Sequence, residues 1–185
     1  MDEFGQVRKK AAISPSKCVC LFYKVWCNMK EKYMMQAIEQ AKKAGGEDEV
    51  PIGCVIVCDG KIVGYGHNTK EQQQQPCGHA EINAITMAAN NKRSWRLNDC
   101  DLYVTLEPCL MCAGTIIQSR INKVYYGAKD IKGGAFGSTI DILEIKGLNH
   151  YPQVEKGIME EECSKLLSSF FENKRKTTKK QSKLI

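Results

Sequence analysis

Apolar residues at Tyr33, Met34, Ala37, Ile38 and Ala41 recur at helical spacing, which predicts an amphipathic helix over Lys30 to Lys43, stopped by Gly45-Gly46. The period then changes. Ile52 to Val57 is a short apolar run with little alternation, the pattern of a strand covered on both faces. Asp59-Gly60 follows as a hairpin turn into a second strand over Lys61 to Tyr65. Gln72 to Gln75 reads as an exposed polar loop. His79 to Ala89 returns to helical spacing and ends at Asn90-Asn91. Asp101 to Leu106 reads as a strand, Ala113 to Gln118 as a helix and Lys123 to Tyr126 as a strand. Gly127, Gly133, Gly134 and Gly137 mark a loop that approaches a ligand or moves. A last short strand lies near Val154. A final helix over Met159 to Phe171 carries Cys163, Leu166, Leu167 and Phe170 along one side and runs on into Lys174, Arg175 and Lys176. Strands alternating with helices predict one α/β domain in three layers.

Composition narrows the class. The 185 residues are 43% hydrophobic, enough for one core in a globular chain. The formal charge of +6 is uneven. Residues 1–28 carry +3 and residues 172–185 carry +5, leaving the body at −2. A slightly acidic body with basic ends suits a catalytic domain whose arm touches phosphates; a solvated, frayed terminus is the alternative for the last residues. Ten cysteines would suggest disulfides in a small secreted chain, but the core is sufficient without them and Lys24 interrupts the apolar run near the N-terminus. Cys54, Cys58, Cys100 and Cys163 read as buried free thiols, and a reducing cytoplasm is the expected setting. No run is long and apolar enough to span a membrane.

Two short pieces carry the chemistry: Cys77-Gly78-His79-Ala80-Glu81 and Pro108-Cys109-Leu110-Met111-Cys112. His79, Cys109 and Cys112 supply nitrogen and sulfur donors for a tetrahedral zinc with its fourth position open to water. Glu81 is left beside the metal to carry protons. Cys109 and Cys112 share one helix face, Pro108 suits a first helical turn, and a helix start favours thiolates. His79 and Glu81 are two apart, so both reach one site only if His79 sits where the helix begins. A structural zinc closed by His67 or Cys77 is the competing arrangement.

H-x-E followed by P-C-x-x-C is the signature of zinc nucleobase deaminases. Beyond it, Val50-Pro51-Ile52-Gly53, His67-Asn68, Leu102 to Cys109, Tyr126 to Asp130, Leu148-Asn149-His150 and Glu161-Glu162-Cys163 resemble the bacterial-type tRNA adenosine deaminases, over roughly Met29 to Lys176. Residues 1–28 do not match and are expected to be a disordered extension, with the deaminase domain over 29–173 and a basic tail over 174–185. Cys18, Cys20 and Cys27 lack a fourth partner for a second metal.

The resemblance implies a cytidine-deaminase-like fold, a five-stranded mixed sheet flanked by helices with both zinc helices on one side. It implies one zinc per subunit, held by His79, Cys109 and Cys112, with Glu81 catalytic. Zinc lowers the pKa of bound water to about 7; Glu81 would move a proton from that water to the purine N1 and then help the amino group leave as ammonia. Adenosine becomes inosine. Asn68, Ala80, Pro108, Asp130, Asn149 and His150 would bind substrate, Asp130 through a ribose 2′-OH. The competing roles are local: Asn68 holding its loop, Asp130 stabilising a turn, Asn149 and His150 shaping one. Lys174, Arg175 and Lys176 would meet phosphates, and Phe170 and Phe171 would stack on a base or pack in the core. The implied partner is a tRNA anticodon stem-loop, with the wobble adenosine of an arginine tRNA as target, and the implied assembly a homodimer. A free base or nucleotide deaminase on the same fold is the rival reading. An inactive RNA-binding subunit is another, against which the presence of Glu81 counts.

Overall fold

The computed structural model describes residues 15–181, with side chains over residues 29–177. Five strands form one mixed sheet: β1 (Gly53–Cys58), β2 (Lys61–His67), β3 (Cys100–Leu106), β4 (Lys123–Ala128) and β5 (Gln153–Lys156), in the order β2-β1-β3-β4-β5. β1 is antiparallel to both β2 and β3, whereas β4 is parallel to β3 and to β5. The β1–β2 hairpin turns at Asp59 and Gly60, both at positive φ (48° and 73°), the conformation a two-residue turn needs to follow the strand twist.

Helices cover both faces. α1 (Pro15–Gly46) and α5 (Glu160–Gln181) lie on one side, where Tyr33, Met34, Ala37 and Cys163 pack on Val55, Val57, Tyr103 and Tyr125. α3 (Ala80–Lys92) and α4 (Leu110–Gln118) lie on the other, where Ala84, Ala88, Ala113 and Ile116 meet Cys54, Ile56, Leu102 and Val104. Strand alternation sorts the residues: even positions of β1 and β3 face α3 and α4, odd positions face α1 and α5. The three layers, the five-stranded mixed sheet and the shared side of the two motif helices agree with the expected fold.

Three boundaries differ from the sequence pattern. The described part of α1 reaches back to Pro15 rather than Lys30, so the backbone over 15–28 is helical where composition predicts disorder. Residues 1–14 and the side chains of Cys18, Cys20 and Cys27 lie outside what is described. Part of the polar stretch after β2 forms a short exposed helix, α2 (Lys70–Gln73). Finally, α5 continues to Gln181, so Lys174, Arg175 and Lys176 are helical and not part of a separate tail.

Candidate active site

The two motif helices start at the same end of the sheet. His79 is the N-cap of α3 and Cys109 the N-cap of α4, both with extended backbone (ψ 149° and 172°). Capping solves the spacing problem: His79 precedes the helix while Glu81 lies in its first turn, so two residues that would diverge on a helix share one site. Pro108 stands one residue before the N-cap of α4, not in its first turn, and its carbonyl accepts from Ala135 N (2.9 Å). Gly66 of β2 fixes how closely α3 lies on the sheet. A Cβ there would stand 2.0 Å from the carbonyl oxygen of Ala80, so only glycine lets the first turn of α3 come this near.

His79 Nδ1 lies 3.4 Å from Cys112 Sγ and 3.7 Å from Cys109 Sγ. A tetrahedral zinc, with bonds of about 2.3 Å to sulfur and about 2.05 Å to nitrogen, sets those atoms about 3.5 Å apart. The donor set and its spacing therefore fit zinc. His67 instead faces Glu47 (3.2 Å) and Cys77 is exposed, so neither joins the cluster among the described residues.

Glu81 is 3% exposed, and its Oε2 is buried without a hydrogen-bond partner. An orphaned carboxylate oxygen beside three ligands is what a proton carrier needs, because a structural acid would be fully bonded. Burial pushes the Glu81 pKa up to about 7, where the group can both take and give a proton near neutrality. The Cys112 hydrogen bond, followed by that of His79, holds Cys109 down at about 4, while the same Cys109–Cys112 bond and burial raise Cys112.

Asn68 is buried and its Nδ2 donates to Glu49 Oε2 (2.9 Å), so its amide is held from outside its own loop. Ala80 is buried as the first residue of α3. Asp130 Oδ1 accepts from Lys132 N (3.0 Å) and Gly133 N (3.1 Å), the local turn-stabilising arrangement. Asn149 and His150 are not brought to the ligands of their own chain. His150 Nε2 reaches Ile121 O (2.5 Å), just before β4, whereas the ligands lie beyond the C-terminal end of β3. The parallel β3–β4 pairing sets those places a strand length apart, about 20 Å for seven residues. Lys174 pairs with Asp48 and Lys176 with Glu172, and Phe170 and Phe171 meet edge to face at 5.5 Å on the same helix.

Two residues that sequence reasoning passed over organise the site. Glu49 is 1% exposed and accepts from Asn68 Nδ2 and from Gln72 N (2.7 Å). Glu107 is 2% exposed and accepts from Asp130 N (3.2 Å), Phe136 N (3.0 Å), Ser138 N (3.1 Å) and the Ser138 hydroxyl. Glu49 closes the acidic run Glu47-Asp48-Glu49 and carries no sequence signal, whereas Glu107 stands between Leu106 and Pro108 at the end of an apolar strand. That placement is the signal, since a buried carboxylate needs donors around it.

The layered fold and the three-donor cluster with its adjacent acid define a zinc-dependent deaminase centre. Residues 27–128 match the cytidine and deoxycytidylate deaminase zinc-binding region, and the chain belongs to that family. It is 46% identical over 149 residues to the tRNA-specific adenosine deaminase of Bacillus subtilis, covering 80% of this chain and 92% of that one. A solved structure from work on A-to-I editing by tRNA:A34 deaminases at the wobble position of transfer RNA is 42% identical, with a TM-score of 0.72 over 74% of this chain and 99% of the other. A guanine deaminase from Nitrosomonas europaea, 21% identical with a TM-score of 0.67 over 76% of this chain and 83% of the other, shares the fold.

Proposed function

We propose that the chain is a tRNA-specific adenosine deaminase that converts the wobble adenosine of an anticodon, an arginine tRNA's by resemblance, to inosine. The observation that carries the chemistry is Glu81, buried with an unpartnered oxygen beside a His-Cys-Cys cluster of zinc dimensions. The relatives named for tRNA carry the substrate.

His79, Cys109 and Cys112 hold one zinc, which when bound activates water for attack on C6 of the adenine. Glu81 holds the proton released, passes it to N1, and returns a proton to the amino group that leaves as ammonia. Its buried setting and pKa near 7 suit both transfers. Asn68, oriented by Glu49, binds the nucleoside by the amide atoms that Glu49 leaves unused. Ala80 and Pro108 offer backbone to the base, and Asp130 presents its turn to the ribose. A single-stranded loop suits such a site, because its bases can be splayed out and read on their edges. Lys174, Arg175 and Lys176 approach phosphates from α5; the Lys174–Asp48 pair brings that helix beside Glu49 and hence toward Asn68.

The deaminase domain is placed at 29–173, and the chain is proposed to act as a homodimer in the cytoplasm. Leu110 and Met111 at the start of α4 are exposed, an apolar surface that a second copy would cover. Asn149 and His150, remote from their own ligands, would then serve the neighbouring site. No helix among the described residues is long and apolar enough to cross a membrane.

The test is to incubate zinc-loaded protein with an anticodon stem-loop and, separately, with free adenosine, cytidine and guanine. Inosine in the stem-loop alone supports the reading. Turnover of a free base or nucleoside with none in RNA replaces it with a small-molecule deaminase.

A further inference from the structure

At the end of the sheet away from the zinc ligands, β1 ends at Cys58 and β3 begins at Cys100, and the two residues face each other directly across the antiparallel pair. The Cys100 carbonyl accepts from Asn122 N, on the β4 side, and its amide donates to Leu97 O. Backbone groups of one strand residue point the same way, so those of Cys100 point away from β1. The pair is thus of the non-hydrogen-bonded kind, whose Cα atoms approach to about 4.5 Å. That lies inside the range a disulfide spans, about 4.4–6.8 Å. Both side chains point to the α3–α4 face, and their sulfurs lie within 4.8 Å of each other and of an Asp99 carboxylate oxygen.

The surroundings separate the two thiols. Lys92, the last residue of α3, places Nζ 3.1 Å from Cys58 Sγ and 2.8 Å from Asp99 Oδ2. The Cys58 thiol donates to the same Asp99 Oδ2 at 3.2 Å, so its sulfur sits between the ammonium and the carboxylate. Cys58 is 6% exposed at the strand end and Cys100 is fully covered, with its thiol 3.5 Å from Asp99 Oδ1. Cys58 is the less covered of the two and so meets a small oxidant first; Cys100 is placed to resolve. The same ammonium argues against a metal in this cluster, since a divalent ion would have to expel it.

We propose that Cys58 and Cys100 are a peroxide-reactive dithiol that closes to a reversible cross-strand disulfide. The Cys58 thiolate attacks one oxygen of hydrogen peroxide; an S–O bond forms, the O–O bond breaks and hydroxide leaves. The Cys100 sulfur then attacks the sulfur of the sulfenic acid. An S–S bond forms, the S–O bond breaks, and the Cys100 proton leaves with that oxygen as water. The released hydroxide takes up the proton Cys58 gave to solvent, so two thiols and one peroxide become one disulfide and two waters. In a reducing compartment such a bond is transient. The ring it closes, from Cys58 to Cys100, contains β2 and α3, and so both His79 and Glu81.

The experiment exposes zinc-loaded, full-length protein to hydrogen peroxide at about one equivalent, blocks remaining thiols with iodoacetamide, and maps non-reduced peptides by mass spectrometry. The expected product joins the Cys58 and Cys100 peptides, lighter by two hydrogens and reopened by dithiothreitol. Cys100→Ser should halt at a dimedone-reactive Cys58, and Lys92→Met should slow closure about tenfold. The proposal is overturned if Cys58 and Cys100 are recovered fully alkylated while exposed Cys77 oxidises, if either pairs with another cysteine, or if Lys92→Met closes at the wild-type rate.

Discussion

Glu107 offers the sharpest mutational test, because its carboxylate is the common acceptor for one hydroxyl and three backbone amides that shape the loop from Asp130 to Ser138. That loop is laid on the metal-binding segment: Ala135 N donates to the Pro108 carbonyl and Gly134 bridges Cys109. Glu107→Ala strips all four donors of their acceptor. At about 1–3 kcal/mol for each buried group left unpaired, less what loop relaxation and water recover, the loss should reach about 4 kcal/mol. Glu107→Gln is milder. Its remaining oxygen can keep Phe136 N and Ser138 N, and the Ser138 hydroxyl can turn to accept from the new amide. Asp130 N–H, however, then faces an NH2 group. One orphaned amide and the lost charge come to about 2 kcal/mol. Urea denaturation at fixed zinc concentration measures both losses, and kcat/KM on an anticodon stem-loop should fall at least tenfold for the alanine. A loss within about 0.5 kcal/mol of wild type for either variant, or a glutamine that costs more than the alanine, would show that Glu107 does not hold the loop.

Gly66→Ala places a methyl group against the Ala80 carbonyl, so α3 must shift; a cost of about 1–3 kcal/mol in thermal unfolding should accompany a larger relative loss of zinc affinity, read by chelator competition. Glu49→Gln replaces the acceptor of Asn68 Nδ2 with an amide that can turn its nitrogen toward it; KM for the stem-loop should rise several-fold with zinc content unchanged, and an unaltered KM would remove Glu49 from the site. In metal-free protein, burial raises the Glu81 pKa from its ordinary 4.5 to about 7, so the folded state keeps a proton that the unfolded state has released. That penalty is absent below about pH 4.5 and complete above about 7. Relative to wild type, Glu81→Gln should therefore gain up to about 3 kcal/mol as the pH rises through this window, measured by denaturation in chelator; a difference flat with pH would contradict the assignment.

The fold was legible where periodicity was strong. The helix through Tyr33, Met34 and Ala37, the buried run of β1 and the Asp59-Gly60 turn follow from local pattern alone. The His79, Cys109 and Cys112 cluster was legible too, because its two pieces carry nitrogen and sulfur donors in the order and spacing of a known signature. What local pattern could not reach were contacts made at long range. Glu49, at the end of an acidic run, looks like an ordinary surface acid until Asn68 folds onto it, and the donors that Glu107 gathers lie more than twenty residues away, in the 130–138 loop. His150 sits beside Asn149 in a motif suggestive of binding, yet the β3–β4 pairing carries it to the far end of the sheet. Pro108 was expected in the first turn but precedes the cap, because Cys109 caps α4 and the helix starts only at Leu110. The run of the last helix into Lys174, Arg175 and Lys176 was legible, but its continuation to Gln181 was not, because no apolar period marks those residues.

One experiment bears on the central claim more directly than any of these. Wild type and Glu81→Gln are loaded with zinc to the same measured content, and conversion of the wobble adenosine in an anticodon stem-loop is followed under single-turnover conditions. The account predicts inosine from the wild type, and from the variant a rate lower by at least a thousandfold, or about 4 kcal/mol of barrier. Equal rates from the two proteins would show that this carboxylate does not carry the proton.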